Sequence, residues 1–265
     1  MIRIDHLTCG YGSKIVLDNI NLEIEKGEFV GIIGPNGSGK TTIMRAITRL
    51  IKPITGTIYL EGKNISNFSH KELAQKIAVV SQSLPVMAMS VREFVLLGRI
   101  PYYKELQFLE NEKDLAIAES AMIMTDIIKL GDNYMSEMSG GEVQLAFIAR
   151  AIAQEPSLLL LDEPTAHLDI THQVGVLDLI KRLNRQYGLT VIIVLHDLNL
   201  ASEYCDRLVL MDQGQIEKTG RSEEVLTYSN IEKVYKTVVV VEINPISGKP
   251  FVLVVSEEVK KKCER

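Results

Sequence analysis

The sequence is poor in the features that would place it in several large classes. It has three cysteines, Cys9, Cys205 and Cys263, far apart and odd in number. They offer neither a disulfide framework nor zinc spacing, so a reducing cytosol is expected. No apolar stretch approaches the roughly 20 residues a bilayer-spanning helix needs, so work at a membrane has to be done by docking on something else. The opening residues Met1-Ile2-Arg3-Ile4-Asp5-His6 carry no apolar h-region, and no signal peptide is expected. Basic residues are not in excess: 29 Lys and Arg against 34 Asp and Glu leave a formal net charge of −5. A nucleic-acid binder would show a clustered basic surplus, so no nucleic-acid partner is expected. There is no internal repeat and no low-complexity segment. What remains is a chain of 265 residues, enough for one large domain or two small ones, with an apolar fraction of 46% that supports a substantial core.

One stretch organises this chain: Gly34-Pro35-Asn36-Gly37-Ser38-Gly39-Lys40-Thr41-Thr42. It fits the phosphate-loop pattern G-x-x-x-x-G-K-[ST] at every fixed position. The apolar run Phe29-Val30-Gly31-Ile32-Ile33 leads in and the helix-like Ile43-Met44-Arg45-Ala46-Ile47 leads out, the setting that pattern requires. Glycines let backbone N–H groups crowd an anion without Cβ clashes. The following helix turns its positive dipole end to the phosphates. Lys40 adds a point charge for the β and γ groups, and the Thr41 hydroxyl can ligate Mg²⁺.

Ahead of the loop, residues 2–33 read as strands and turns, with Ile4, Leu7, Ile15, Leu17, Ile20, Leu22 and Ile24 recurring at period-2 character. Tyr11, between Gly10 and Gly12, is expected on a loop, where it either stacks on a purine or fills a half-buried turn. Beyond the loop, residues 56–60 and 77–80 read as strands, the second ending at Ser81-Gln82, where a polar side chain reaches a ligand crevice. From about 85 to 156 the texture turns helical and methionine-rich, with a cap at Ser90 and a helix over 112–124. Met122 and Met124 read as core, Met87 and Met89 as an adaptable partner surface.

Ser139-Gly140-Gly141-Glu142 opens another helix, over 143–154. The S-x-x-E spacing is a capping box, which accounts for Ser139 and Glu142. Two consecutive glycines are costly in a first helical turn, but they let an anion approach its N–H groups, so a second phosphate-contacting helix start is expected. Leu158-Leu159-Leu160-Leu161 reads as a strand buried on both faces. It ends in Asp162-Glu163: Asp162 is placed to hold a metal and Glu163 to accept a proton from water. Ala166-His167-Leu168-Asp169 forms a tight connection to an amphipathic helix over 174–184. The buried strand 190–195 ends at His196, on the ligand side of a parallel sheet. Residues 208–216 read as a hairpin with a Gly turn, and 237–243 and 251–255 as a strand pair before a charged tail, 257–265.

The order of these motifs resembles the nucleotide-binding subunits of ATP-binding-cassette (ABC) transporters over nearly the whole chain. Tyr11 stands where that family stacks an aromatic on adenine, 34–42 where it has the Walker A loop, and Gln82 where it has the Q-loop. Ser139, Gly140, Gly141 and Glu142 stand in the signature, 158–163 in Walker B, Ala166 to Asp169 in the D-loop, and His196 at the switch histidine. Val91-Arg92-Glu93-Phe94-Val95-Leu96-Leu97-Gly98-Arg99-Ile100-Pro101-Tyr102 looks like the helical region of the branch that imports iron–siderophore complexes, haem and cobalamin, and so do Leu195-His196-Asp197-Leu198-Asn199-Leu200-Ala201 and Gly248-Lys249-Pro250-Phe251. Met138 and Glu142 replace the family's commonest Leu and Gln, and Leu145 stands where Arg is frequent.

The resemblance implies an α/β fold: a P-loop NTPase (RecA-like) core with an N-terminal antiparallel β-subdomain and an inserted α-helical subdomain. The expected division is 1–84 with 156–265 for the core and 85–155 for the insertion. It implies ATP and Mg²⁺ as ligands, with Thr41, Gln82 and Asp162 at the metal. Glu163, His196, Gln82 and Lys40 are then catalytic, with Asp169 beside the nucleotide. It implies a head-to-tail homodimer with each ATP between one copy's phosphate loop and the other's signature. Transmembrane permease subunits would dock on the helical subdomain around Met87, Met89, Val91, Arg92, Arg99 and Tyr102, a substrate-binding protein would be met only indirectly, and the location is the cytoplasmic side of the cell membrane. Two alternatives stay open: a soluble ABC ATPase outside transport, or a cassette serving a different cargo. A GTPase switch would want an N-K-x-D segment, which the sequence lacks.

Overall fold

The computed structural model describes residues 1–81, 88–104 and 110–256. Gln82, Met87 and the tail 257–265, named above, lie outside the described residues. In chain order the elements are β1 (Ile2–Tyr11), β2 (Lys14–Ile24), β3 (Phe29–Ile33), α1 (Lys40–Ile47), β4 (Thr55–Leu60), β5 (Lys63–Asn64), α2 (His70–Lys76) and β6 (Ile77–Val80). They continue with α3 (Val91–Leu96), α4 (Glu112–Met124), α5 (Gly140–Ala153), β7 (Leu158–Asp162), α6 (Ile170–Tyr187), β8 (Thr190–Val194) and α7 (Leu198–Tyr204). Last come β9 (Arg207–Asp212), β10 (Gln215–Gly220), α8 (Ser222–Val225), α9 (Tyr228–Tyr235), β11 (Val239–Ile243) and β12 (Pro250–Val254). Two compact units result: Met1–Asn64 with Ile192–Arg265, and Ile65–Val191.

In the first unit, β2, β1, β4 and β5 form an antiparallel sheet in that order. One face is core: Ile2, Ile4, Leu7 and Cys9 of β1 and Leu17, Ile20, Leu22 and Ile24 of β2 are buried. The two strands join through Gly12 and Ser13, with Tyr11 paired to Lys14. Tyr11 therefore ends a strand, where a loop was expected: Gly12, at φ 57°, turns the chain tightly enough for pairing to run to the hairpin's end. All five residues of β3 are buried, and β9 runs parallel to it from Val30↔Arg207 to Ile33↔Leu210. A strand covered on both faces reads as an unbroken apolar run, which is why alternation fails here and succeeds in β1 and β2. β10 returns antiparallel to β9 through Gln213 and Gly214, both at positive φ, the turn that suits a hairpin's twist.

β11 and β12 pair from Val239↔Val254 to Ile243↔Pro250. The strand ends are shifted from those expected: the first begins two residues later and the second one residue earlier. The pair is seated on α7. Asn199 bonds the Val252 backbone on both sides, accepting at Oδ1 (2.7 Å) and donating from Nδ2 (3.2 Å). Ser202 donates to the Pro250 carbonyl at 2.8 Å, and Lys249 Nζ donates to the Ser202 and Glu203 carbonyls near the end of α7. A lysine there satisfies carbonyls that no further helical turn accepts from.

In the second unit, β6 and β7 are parallel, in register from Ile77↔Leu158 to Val80↔Leu161. α3, α4 and α5 pack on one another around Phe94 and Phe147, whose rings meet edge to face at 4.8 Å and 86°. Met122 is fully buried, as its reading as core expected. Arg99 is 2% exposed and is held from three sides: Nε by Asp114 Oδ1 at 3.0 Å, Nη1 by the Ala153 carbonyl and by Glu155 Oε2, both at 2.7 Å. Its guanidinium also lies 4.0 Å from the Tyr102 ring centroid. Arg99 and the fully buried Val91 are thus internal, and the docking surface expected of them is corrected on that ground. α6 begins four residues before the expected 174, because the Asp169 side chain accepts the His172 N–H and starts the helix at Ile170; Gly188, at φ 63°, ends it.

Candidate functional site

The phosphate loop is built in the first unit by β3, α1 and three glycines whose conformations other residues resist. Gly34, Gly37 and Gly39 have φ of 148°, 80° and 105°. They are needed for different reasons. A Cβ on Gly34 would stand 2.2 Å from the Met211 carbonyl oxygen, and one on Gly39 2.5 Å from a Leu17 methyl, whereas Gly37 faces open space. The loop is braced from behind: Gly214 N–H donates to the Ser38 carbonyl at 3.1 Å, and Asp18 N–H to the Gly214 carbonyl at 3.0 Å. The β9–β10 hairpin therefore fixes the loop's shape, a support that the local motif does not reveal.

At its helical end, Gly39 caps α1 without a side-chain hydrogen bond. Lys40 is 5% exposed, and its Nζ donates to the Gly34 and Pro35 carbonyls at 2.8 and 2.9 Å. Pro35 is half-buried, Asn36 exposed and Thr42 buried, while Thr41 is intermediate. The Ser38 hydroxyl is buried with no hydrogen-bond partner among the described residues. An anionic ligand supplies what these groups have in common: acceptors for N–H, hydroxyl and ammonium donors.

Two expected residues flank this loop within the same unit. Tyr11 is 45% exposed; its hydroxyl accepts from Arg45 Nη1 at 2.8 Å, and that guanidinium lies 5.9 Å from the ring centroid. Arg45 sits on α1, so the ring is tied to the phosphate-loop helix. His196 is exposed and follows Leu195, whose N–H donates to the Ile32 carbonyl at 3.2 Å, so it emerges beside the end of β3. Asp197, next to it, caps α7 by accepting from the Asn199 and Leu200 N–H groups. The sequence reading missed Tyr235. Its hydroxyl is buried against the Gly34 amide without hydrogen-bond geometry, and burial pushes its pKa up to about 12.

The remaining described candidates lie in the second unit. Asp162 ends β7, and Glu163 follows at φ 53°, a left-handed conformation uncommon for a glutamate. The turn after it is tied by Ala166 N–H to the Glu163 carbonyl at 3.1 Å, and by Gln173 Nε2 to the Leu168 carbonyl at 3.0 Å. Asp169 then caps α6, and its carboxyl is held below the usual range by the His172 backbone and imidazole N–H groups. At the start of α5 the capping box is complete: Ser139 N–H donates to Glu142 Oε2 at 2.8 Å, and Glu142 N–H to Ser139 Oγ at 3.4 Å. Ser139 Oγ is also 2.7 Å from Glu142 Oε2, and the Ser139 hydrogen bonds lower the carboxyl's pKa, with the nearby His172 adding to the effect. Glu142 is thus turned back into its own cap. His172 and Arg45 are contacts that no local motif signals.

The donor set of the loop fits the phosphates of a nucleotide. Within their own units, the Thr41 hydroxyl and the Asp162 carboxylate are each of the oxygen chemistry that Mg²⁺ takes. Among the described residues no three His, Cys, Asp or Glu side chains form a protein metal cage. Mg²⁺ does not require one, since it takes most of its ligands from phosphate and water.

A phosphate loop opening a helix, a parallel strand ending in paired acids, and a helical region between β6 and β7 define an ABC-type ATPase. Its fold is a RecA-like P-loop NTPase core with an N-terminal antiparallel β-subdomain and an inserted α-helical subdomain. The chain belongs to the ABC transporter family, whose model matches residues 17–166. It is 40% identical over 258 residues to the uncharacterized ABC transporter ATP-binding protein YvrA of Bacillus subtilis, covering 97% of this chain but 58% of that one. It is 38% identical over 253 residues to the ferric enterobactin transport ATP-binding protein FepC of Escherichia coli, covering 95% and 93% of the two chains. Among solved structures, a transporter described as of metal-chelate type, in an inward-facing conformation, matches with a TM-score of 0.85 and 25% identity over 97% of this chain and 98% of that one. The dimeric ATP-binding cassette MJ0796, bound to ADP and Pi, matches with a TM-score of 0.72 and 31% identity over 83% and 98%. Among the described residues no helix is long and apolar enough to cross a membrane.

Proposed function

We propose that this chain is the ATP-hydrolysing subunit of an importer for an iron complex or a related metal chelate, working as a head-to-tail dimer. The observation that carries the reading is the phosphate loop itself: three positive-φ glycines, a helix start without a side-chain cap, and the buried Lys40. The dimeric cassette supports the pairing of two copies, and the ferric enterobactin protein and the metal-chelate transporter support the cargo class.

In this reading the backbone of 34–42 and Lys40 bind the phosphates, and Tyr11 stacks on adenine. Glu163 accepts a proton from the attacking water, and His196 donates to the γ-phosphate. Thr41 and Asp162 hold Mg²⁺, with Gln82 sensing it; when bound, the ion neutralises charge developing on the phosphoryl oxygens. Ser139, Gly140, Gly141 and Glu142 present a helix start to the nucleotide held by the second copy, and Asp169 lies beside it. ATP then joins two copies because its charge is matched only when both are present, and cleavage lets them part. The proposed partners are permease subunits docking on the helical insertion, 85–155, with Met89, Arg92 and the half-buried Tyr102 the described residues left to that surface. The proposed place is the cytoplasmic face of the membrane, peripheral to those subunits.

Phosphate release by the purified chain tests the enzymatic half: ATP is cleaved, GTP is not preferred, and Lys40→Ala binds neither. Retained nucleotide affinity in Lys40→Ala would contradict the loop assignment. ATP-dependent uptake of a ferric chelate by vesicles holding the chain with its permease tests the cargo class, and a complex active only on other cargo contradicts it.

A further inference from the structure

Of the two glycines at the start of α5, Gly140 faces the connection that precedes α6 and Gly141 faces the first turn of α6 itself. A Cβ on Gly140 would stand 3.9 Å from Leu168 Cδ2, an ordinary contact. A Cβ on Gly141 would stand 2.2 Å from His172 Cδ2, 2.8 Å from its Cγ and 2.9 Å from its Nε2, distances no side chain tolerates. The imidazole thus occupies the space a side chain at 141 would take. The same ring places Nδ1 2.8 Å from Asp169 Oδ1, which also accepts the His172 backbone N–H at 2.9 Å. A carboxylate only accepts, so the hydrogen of a neutral His172 sits on Nδ1. One side chain therefore touches the residue that caps α6 and the first turn of α5, 31 positions away in sequence.

We infer that His172 is a positioning residue that locks the 166–169 connection to the 139–142 helix start, so that both are delivered to the second copy's nucleotide as one rigid piece. The inference rests on the dimer reading above. The glycine at 141 then has two tasks, since it leaves the N–H groups of the helix start accessible and leaves room for the ring. His172 touches no nucleotide in this scheme. It acts through Asp169 and Gly141, by holding two loops whose independent motion would otherwise have to be frozen when the dimer forms.

The test is a double-mutant cycle on the full-length chain, with His172→Ala, Gly141→Ala and the pair, read by ATP turnover and by ATP-dependent dimerisation in a Glu163→Gln background. His172→Ala is expected to weaken dimerisation and lower kcat about tenfold, a coupling ordinary for residues in contact. Nucleotide affinity of the dilute single subunit and the melting midpoint are expected to stay as in the parent; a side chain that is 47% exposed tolerates truncation. Gly141→Ala is expected to cost much less activity in the His172→Ala background than alone, because the ring that meets the new Cβ is gone. Parental dimerisation by His172→Ala, additive effects in the cycle, or a loss that follows a fall in melting midpoint would each overturn the positioning role while leaving the dimer reading intact. If the parent itself neither dimerises nor hydrolyses ATP, the dimer reading fails, and this inference with it.

Discussion

Glu163 follows β7 at φ 53°, where a glutamate backbone is held at a cost of about 1–3 kcal/mol. Such a cost persists where the surrounding turn over-determines it, and the bond from Ala166 N–H to the Glu163 carbonyl is part of that turn. The placement of two acids after four leucines was legible in the sequence; the left-handed backbone was not, since nothing local requires it. Glu163→Gln keeps the side chain's shape, and hydrolysis is expected to fall by about 10²–10⁴-fold with nucleotide affinity unchanged. Turnover at the parent rate would remove Glu163 from the base role. Tyr11 shows the same division. Its place before the loop was readable, but its tie to Arg45 depends on two strands and a helix meeting 34 positions apart. Arg45→Ala is expected to raise the KM for ATP several-fold with kcat nearly unchanged, measured by steady-state phosphate release, because only the ring's orientation is lost.

Among the elements, caps were the most legible. Ser90 with Glu93 and Ser139 with Glu142 both form the boxes their spacing announced. Ser139→Ala is expected to cost about 1 kcal/mol of stability. Glu142 is held below its ordinary pKa, so its part of the cap is present above the ordinary carboxylate range and is lost as pH falls through and below it. The gap in melting midpoint between the parent and Ser139→Ala is therefore expected to narrow from pH 7 towards pH 4. Arg99 was the least legible. A charge in Gly98-Arg99-Ile100-Pro101 suggested an exposed contact, but its partners stand at 114, 153 and 155, brought together only by tertiary packing. Breaking a buried pair strands the other charge, so Asp114→Ala is expected to destabilise by about 3–5 kcal/mol, read from denaturant unfolding. A loss within 0.5 kcal/mol would show that Arg99 finds other acceptors.

Across the whole molecule, the order of motifs carried the fold class. The supports behind them did not show in the sequence. The β9–β10 hairpin holds the phosphate loop through Gly214, and the β11–β12 hairpin clamps α7 directly after His196. Each links segments far apart in the chain, which local pattern cannot specify. The central claim concerns two such molecules rather than one. Light scattering of Glu163→Gln with ATP and Mg²⁺ is its most direct measurement. The expected result is a mass of about twice the chain's 29.6 kDa, falling back to that of a single chain when ATP is withheld or Lys40→Ala is added. A single-chain mass with saturating ATP bound would contradict the account.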